Sequence, residues 1–166
     1  MNKRIILFII GLLVLLPINI YAIDINQDNF NSYTTHTNQD YILADGDYKL
    51  TSNISLDRNH IVLNNKTISI DLNGFNITST LTSKSVIQVT GDVDLTIKGP
   101  GTIETNATGT SLDISGSNNK INGVDPNVYF THLNVSGLNN TLDLNQSCAN
   151  ISKNISGSGN KFMIDL

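Results

Sequence analysis

The chain is short of the residues that most often commit a sequence to an activity. Its 166 residues include one cysteine, Cys148, one arginine, Arg58, and no tryptophan. A lone cysteine excludes an internal disulfide, and in its Ser-Cys-Ala setting Cys148 reads as a packed thiol. Ten Lys and Arg face 14 Asp and Glu, for a net charge of -4. So little positive charge excludes nucleic acid as a partner, because nothing is there to neutralise a phosphate backbone. It also denies anionic lipid a basic face. His36, His60 and His132 stand far apart and lack metal-ligand spacing. No Gly-x-Ser-x-Gly element occurs. No catalytic residue, metal ligand or cofactor is assigned from the sequence.

One long apolar run exists, and it is at the start. Lys3 and Arg4 precede Ile5 to Leu16, broken only by Gly11, with Pro17 and Ala22 following. Twelve residues fall short of the roughly 20 needed to span a bilayer. The layout is that of a secretory signal peptide over residues 1–22. The expected location is therefore secreted or at the cell envelope, with no stable membrane insertion after cleavage. The remaining chain has eight basic and 14 acidic side chains.

What the chain has in abundance is asparagine, 24 of 166 residues. Asn tolerates left-handed turns and stacks in hydrogen-bonded ladders between equivalent positions of successive strands. Asn, Ser and Thr compete with the helix backbone, so the composition argues against a helical protein. Nine Asn-x-Ser/Thr triplets occur, at Asn53, Asn65, Asn76, Asn106, Asn134, Asn139, Asn145, Asn150 and Asn154. They are glycan acceptors only in a eukaryotic secretory route.

The centre of the chain alternates. Ile68, Ile70 and Leu72, then Ile87 and Val89, then Val93, Leu95 and Ile97 are apolar at every second position, with Asn-Gly, Gly-Asp and Gly-Pro-Gly between the runs. Such alternation means strands with one buried face. The glycines and asparagines supply the positive φ that sharp bends need. Further on, Leu112-Asp-Ile-Ser-Gly116, Leu133-Asn-Val-Ser-Gly137 and Ile155-Ser-Gly157 repeat, with glycines 21 and then 20 residues apart. One repeat is one coil of a solenoid. Gly74 and Gly99 extend the series irregularly.

The segments Ile70-Asp-Leu-Asn-Gly-Phe-Asn-Ile-Thr78 and Leu95-Thr-Ile-Lys-Gly-Pro-Gly-Thr-Ile103 resemble the opening coils of right-handed parallel β-helix proteins, the pectin-lyase-like superfamily. The expected fold class is thus all-β, a single-stranded right-handed parallel β-helix. About 20 residues per coil gives five to six coils. Residues 23–40 read as an N-terminal cap segment, with Asp28 capping one turn over 29–33, and residues 41–166 as the β-helix domain. Tyr41 to Leu50, Asn53 to Leu56 and Ile61 to Leu63 read as strands. Glu104 to Thr110 reads as a looser segment, and Gly123 to Asn127 as a bulging loop. Ile70, Leu72, Ile87, Val89, Leu95, Ile97, Leu112, Ile114, Leu133 and Val135 should point inward. Leu142, Leu144, Ile155, Phe162 and Ile164 should do so on other faces.

The resemblance implies catalytic carboxylates on one face of a longer helix. The chain has no Asn-Thr-Asp, Asp-Asp, Gly-His-Gly or Arg-Ile-Lys. The close acidic pairs Asp45/Asp47 and Asp92/Asp94 lie beside glycine, where Asp is explained by turn chemistry. Asp57-Arg58-Asn59-His60 reads as a surface turn. Asp71, Asp94 and Asp113 each sit between two inward residues, and one aligned column of them would favour a bound cation such as calcium. The function expected is a binding or structural role outside the cell, towards a polysaccharide or a protein partner. The alternative is a carbohydrate-active enzyme, a polysaccharide lyase or glycoside hydrolase, or a remnant of one. The chain stops within an apparent strand, so the last coil folds over its own end through the loop near Asn145 to Ala149, or two molecules meet end to end, or the chain is a shortened member of a longer family; an end-to-end homo-oligomer is the favoured reading.

Overall fold

The computed structural model describes residues 21–81, 84–105, 109–122, 125, 127–144 and 152–164. The chain enters through β1 (Ile23–Ile25), a 3-10 turn (Phe30–Ser32), β2 (Thr34–Thr37) and β3 (Asp40–Leu43). Four three-sided turns follow. They are β4 (Gly46–Leu50), β5 (Ile54–Leu56) and β6 (Ile61–Asn64); β7 (Thr67–Asp71), β8 (Asn76–Ser79) and β9 (Ile87–Gly91); β10 (Asp94–Lys98), β11 (Gly101–Thr105) and β12 (Leu112–Ile114); and β13 (Lys120–Asn122), β14 (Val128–Phe130) and β15 (His132–Val135). Then come β16 (Thr141–Leu144), β17 (Ser152–Ile155) and β18 (Lys161–Ile164).

Equivalent sides stack into three sheets. Sheet A runs β1-β4-β7-β10-β13-β16-β18, sheet B runs β2-β3-β6-β9-β12-β15-β17, and sheet C runs β5-β8-β11-β14. Among the described residues all pairings are parallel except β2 with β3. The protein is a parallel β-solenoid of about four turns, fewer than the five to six expected. The reason is coil length. Thr67 pairs with Asp94, 27 positions on, and Asp94 with Lys120, 26 on. The short repeat belongs to the later coils, where Lys120 pairs with Thr141 and Thr141 with Lys161, and to the first, where Tyr41 pairs with Ile61.

The register stacks like on like inside. Ile68, Leu95, Ile121 and Leu142 form one column of sheet A. Ile61, Ile87, Leu112 and Leu133 form one in sheet B, and Ile54, Ile77, Ile103 and Phe130 one in sheet C. Every one of these side chains is buried. Each contributes about 1.5–3 kcal/mol by leaving water. All ten residues expected to point inward are buried, as are Leu142 and Leu144. Ile155 is the correction. It is 49% exposed, because β17 is the edge strand of sheet B, with a strand neighbour on one side only among the described residues. Phe162 is half-buried against the core, and the side chain of Ile164 lies outside the described residues.

The corners explain the glycines. Gly116 and Gly137 close the bend from sheet B to sheet A so tightly that a Cβ on Gly137 would lie 1.6 Å from the Gly116 carbonyl oxygen. Gly74 and Gly99 do not extend this series. They follow β7 and β10, at the bend from sheet A to sheet C, with φ of +86° and +72°. Next to the tight glycines stands an asparagine ladder. Asn140 Oδ1 accepts from the Asn119 backbone N–H and from Asn119 Nδ2, both at 2.9 Å. Asn140 Nδ2 donates to the Gly116 carbonyl at 3.0 Å. Asn119 Oδ1 accepts from Val93 N–H, and Asn160 Oδ1 from Asn140 N–H. Asn119 and Asn140 are fully buried, and the ladder satisfies corner amides that no strand partner reaches.

The entry segment differs from its sequence reading in two details. Asn26, not Asp28, ties the 3-10 turn, its Oδ1 accepting from the N–H groups of Asp28 and Asn29, both at 2.9 Å. A β-hairpin joins β2 to β3 through Asn38 and Gln39, at φ +51° and +69°. Its turn lacks glycine, the usual signal for two positive-φ residues. Phe30 is buried, its ring 5.1 Å from that of Tyr41. Glu104 and Thr105, read as loose, complete β11. Most of the loop expected over 123–127, and Cys148, lie outside the described residues.

Candidate functional site

On strands alternate residues face out, so the outer face of sheet A is built from the residues between the core positions. Three rows cross it. Asp47, Ser69, Thr96 and Asn122 make the middle row. Asp24, Lys49, Asp71 and Lys98 make a second, strictly alternating in charge. Thr67, Asp94, Lys120, Thr141 and Lys161 make the third.

The middle of this face is a shallow groove of about 730 Å³, lined by Asp45, Asp47, Thr67, Ser69, Asp94, Thr96, Lys98 and Asn122. Its polar groups are held in place. Asp45 accepts the Thr67 N–H at 2.7 Å and has Lys66 Nζ at 3.8 Å. Asp94 accepts from Asn122 Nδ2, with Lys120 Nζ at 4.0 Å. Hydroxyls, amides and carboxylates thus repeat along the shaft at the inter-strand spacing of roughly 4.8 Å. Such a surface exchanges hydrogen bonds with a polyhydroxylated ligand, carboxylates accepting and amide or ammonium groups donating. Among the described residues no aromatic ring lines it.

The aspartates singled out from the sequence do not form a column. Asp71 and Asp94 are both on sheet A but in different rows, and Asp113 is on sheet B between Gln88 and Asn134. Asp71 lies between two lysine positions, Lys49 and Lys98. The repulsion that would call in a cation is absent. Among the described residues no three His, Cys, Asp or Glu side chains come together as a metal site. The sequence spacing missed this because the coils between these residues differ in length and side. Asp92 keeps its turn role, at φ +46°.

The Asp57–His60 turn holds more contacts than a plain surface loop. The Tyr41 hydroxyl donates to Asp57 Oδ1, and burial together with that carboxylate pushes the phenol up to about 12. His60 Nδ1 sits 2.7 Å from Ser85 Oγ. Burial lowers the His60 pKa, against an opposing push from the Ser85 backbone contact, so the ring favours its neutral form. Ser85 is itself buried, only 6% exposed. This cluster fastens the start of β6 to the segment before β9. A smaller cavity of about 280 Å³ on sheet B is lined by Thr110, His132, Leu133, Asn134 and Asn154.

Fold and site together define a class, a parallel β-solenoid with a polar groove along one sheet. Comparison of the chain with protein-family models, curated proteins and solved structures finds no match.

Proposed function

We propose that this is an exported β-helix protein of pectin-lyase-like type that binds a polysaccharide along the outer face of sheet A. The observation that carries this reading is the groove over β4, β7, β10 and β13, with Asp47, Ser69, Thr96 and Asn122 in one register row. A sheet locked by the core beneath it presents these groups with little ordering cost on binding. The mixed signs of Asp47, Asp94 and Lys98 suit a neutral or weakly charged chain of sugars better than a polyanion. Export is supported by Lys3-Arg4 and the apolar run from Ile5 to Leu16.

Titration against a panel of soluble neutral and acidic polysaccharides tests the reading, with Ser69→Arg and Thr96→Arg as groove-blocking variants. Both positions face outward, so thermal melts should match the parent. Binding to at least one neutral glycan should be lost in both variants. Binding that survives both moves the ligand off this face. No binding to any member leaves a scaffold role and ends the proposal.

A further inference from the structure

One row of the sheet A face carries charges that form no ion pair among the described residues. Asp24, Lys49, Asp71 and Lys98 follow one another across β1, β4, β7 and β10. The ion pairs that close within 4.0 Å, Asp45 with Lys66 and Asp94 with Lys120, lie on the far side of the middle row. Asp24 and Lys98 are exposed, and Lys49 and Asp71 are partly so. Asp71 Oδ1 accepts the Asn73 N–H at 2.9 Å, which holds the carboxylate in place, and Lys98 also lines the groove. Resting on the reading of sheet A as a glycan-binding face, we propose that its ligand is a zwitterionic glycan, in which sugars bearing a free amine alternate with sugars bearing a carboxylate.

Spacing, sign and rigidity fit that ligand. Neighbouring strands lie about 4.8 Å apart, so like charges in this row recur at about 9.6 Å. A chain of pyranose rings laid along the solenoid axis advances by a similar step per sugar. Its amines then fall on Asp24 and Asp71 and its carboxylates on Lys49 and Lys98. Each such contact is a charge-assisted hydrogen bond, stronger than a neutral one. A neutral glycan leaves all four charges without a counterpart, and a polyanion sets carboxylates against Asp24 and Asp71. Ser69 and Thr96, in the adjoining row, remain for the ring hydroxyls. The strands that carry the row are locked by buried Tyr48, Ile70 and Ile97, so the spacing is set before the ligand arrives.

Isothermal titration with one polymer backbone in three forms tests this, at about pH 6, where amines and carboxylates are both charged. The first form alternates glucuronic acid with glucosamine bearing a free amine. The second is the same polymer N-acetylated, and so acidic. The third is the N-acetylated polymer with its carboxylates reduced, and so neutral. The free-amine form should bind at least about tenfold tighter than the other two, with a margin that shrinks as salt is raised. Asp71→Asn keeps an acceptor for the Asn73 N–H, and Lys98 is exposed, so Asp71→Asn and Lys98→Gln should melt with the parent. Each should weaken binding of the free-amine form about fivefold and leave the neutral form unaffected. A preference for the free-amine form that ignores both variants overturns the proposal, since the charges then meet elsewhere. A neutral form bound as tightly as the free-amine one, indifferent to both variants but lost in Thr96→Arg, overturns the zwitterion and leaves the sheet A reading in place. Free-amine binding that survives Ser69→Arg and Thr96→Arg overturns both. Binding by none of the three forms overturns the zwitterion, and the wider panel then decides the reading of the face.

Discussion

The side-chain oxygen of Asn140 takes two hydrogen bonds from one residue, Asn119, whose backbone N–H and Nδ2 both lie 2.9 Å away. This buried contact joins two coils at the corner where sheet B turns into sheet A. Strand ladders stop at a corner, and its amides must be satisfied some other way. Asparagine carries donor and acceptor on one short side chain, so Asn119 bonds the coil on either side, accepting from Val93 N–H and donating to Asn140.

Asn140→Ala should therefore cost about 2–4 kcal/mol, since it leaves the Asn119 N–H and the Gly116 carbonyl without partners in the interior. Asn139→Gly should be close to neutral. Asn139 is exposed and sits at φ +56°, where glycine fits at least as well. Urea unfolding of the two variants checks the ranking. Equal effects would mean that the ladder adds little.

Gly137→Ala should disrupt the later coils, because the new methyl would lie 1.6 Å from the Gly116 carbonyl oxygen. Gly74→Ala meets open space and carries only the backbone penalty of a positive φ, about 1–2 kcal/mol. Limited proteolysis should cut the Gly137 variant first within the C-terminal coils. Similar resistance in both variants would show that the corner has room to relax.

Ile97→Asp should unfold the solenoid, since an unpaired charge would enter the core. Its neighbour Lys98 faces solvent. Lys98→Asp places a second carboxylate beside Asp71 and should change stability by no more than about 0.5–1 kcal/mol. Thermal melts that rank the two variants the other way would put the register out by one residue.

Two titrations should shape stability with pH. Tyr41 has its folded pKa raised to about 12 from 10.0. Its contribution is present below pH 10 and is lost as pH rises from there through the folded value, because the unfolded chain ionises first. Tyr41→Phe should flatten that alkaline loss. His60 is shifted the other way, downward by burial. The neutral ring favours the folded state above the ordinary histidine pKa of about 6.5, and this is lost as pH falls. His60→Gln should flatten stability on that acid side. Denaturant midpoints measured against pH read both effects. An unchanged alkaline limb in Tyr41→Phe would detach the phenol from the Asp57 contact.

Much of the fold was legible in the sequence, because a solenoid is mostly local. Ile68-Ser-Ile70 and Leu95-Thr-Ile97 show by alternation alone which side is buried, and the pleat enforces it. The Ser-Gly repeat at 116, 137 and 157 marks a corner because only glycine tolerates a carbonyl that close. Coil length was not legible. The connections leaving β8 and β11 are longer than those of the later coils, and no periodicity reports how far a chain strays before rejoining its sheet. That is why a count based on 20 residues per coil overshot, and why Asp71, Asp94 and Asp113 looked like a column.

The sequence by itself determined that these residues form short strands with one apolar face, bent at Gly and Asn, since those preferences act within a few residues of each other. Only the tertiary structure decided which strand lies beside which. That choice sets Asp71 between Lys49 and Lys98, stacks Asn119 on Asn140, and gathers Asp47, Ser69, Thr96 and Asn122 into one groove. The physical reason is that lateral neighbours in a solenoid sit one whole coil apart in the chain. Their meeting is fixed by stacking the core columns in register, and no local signal carries it.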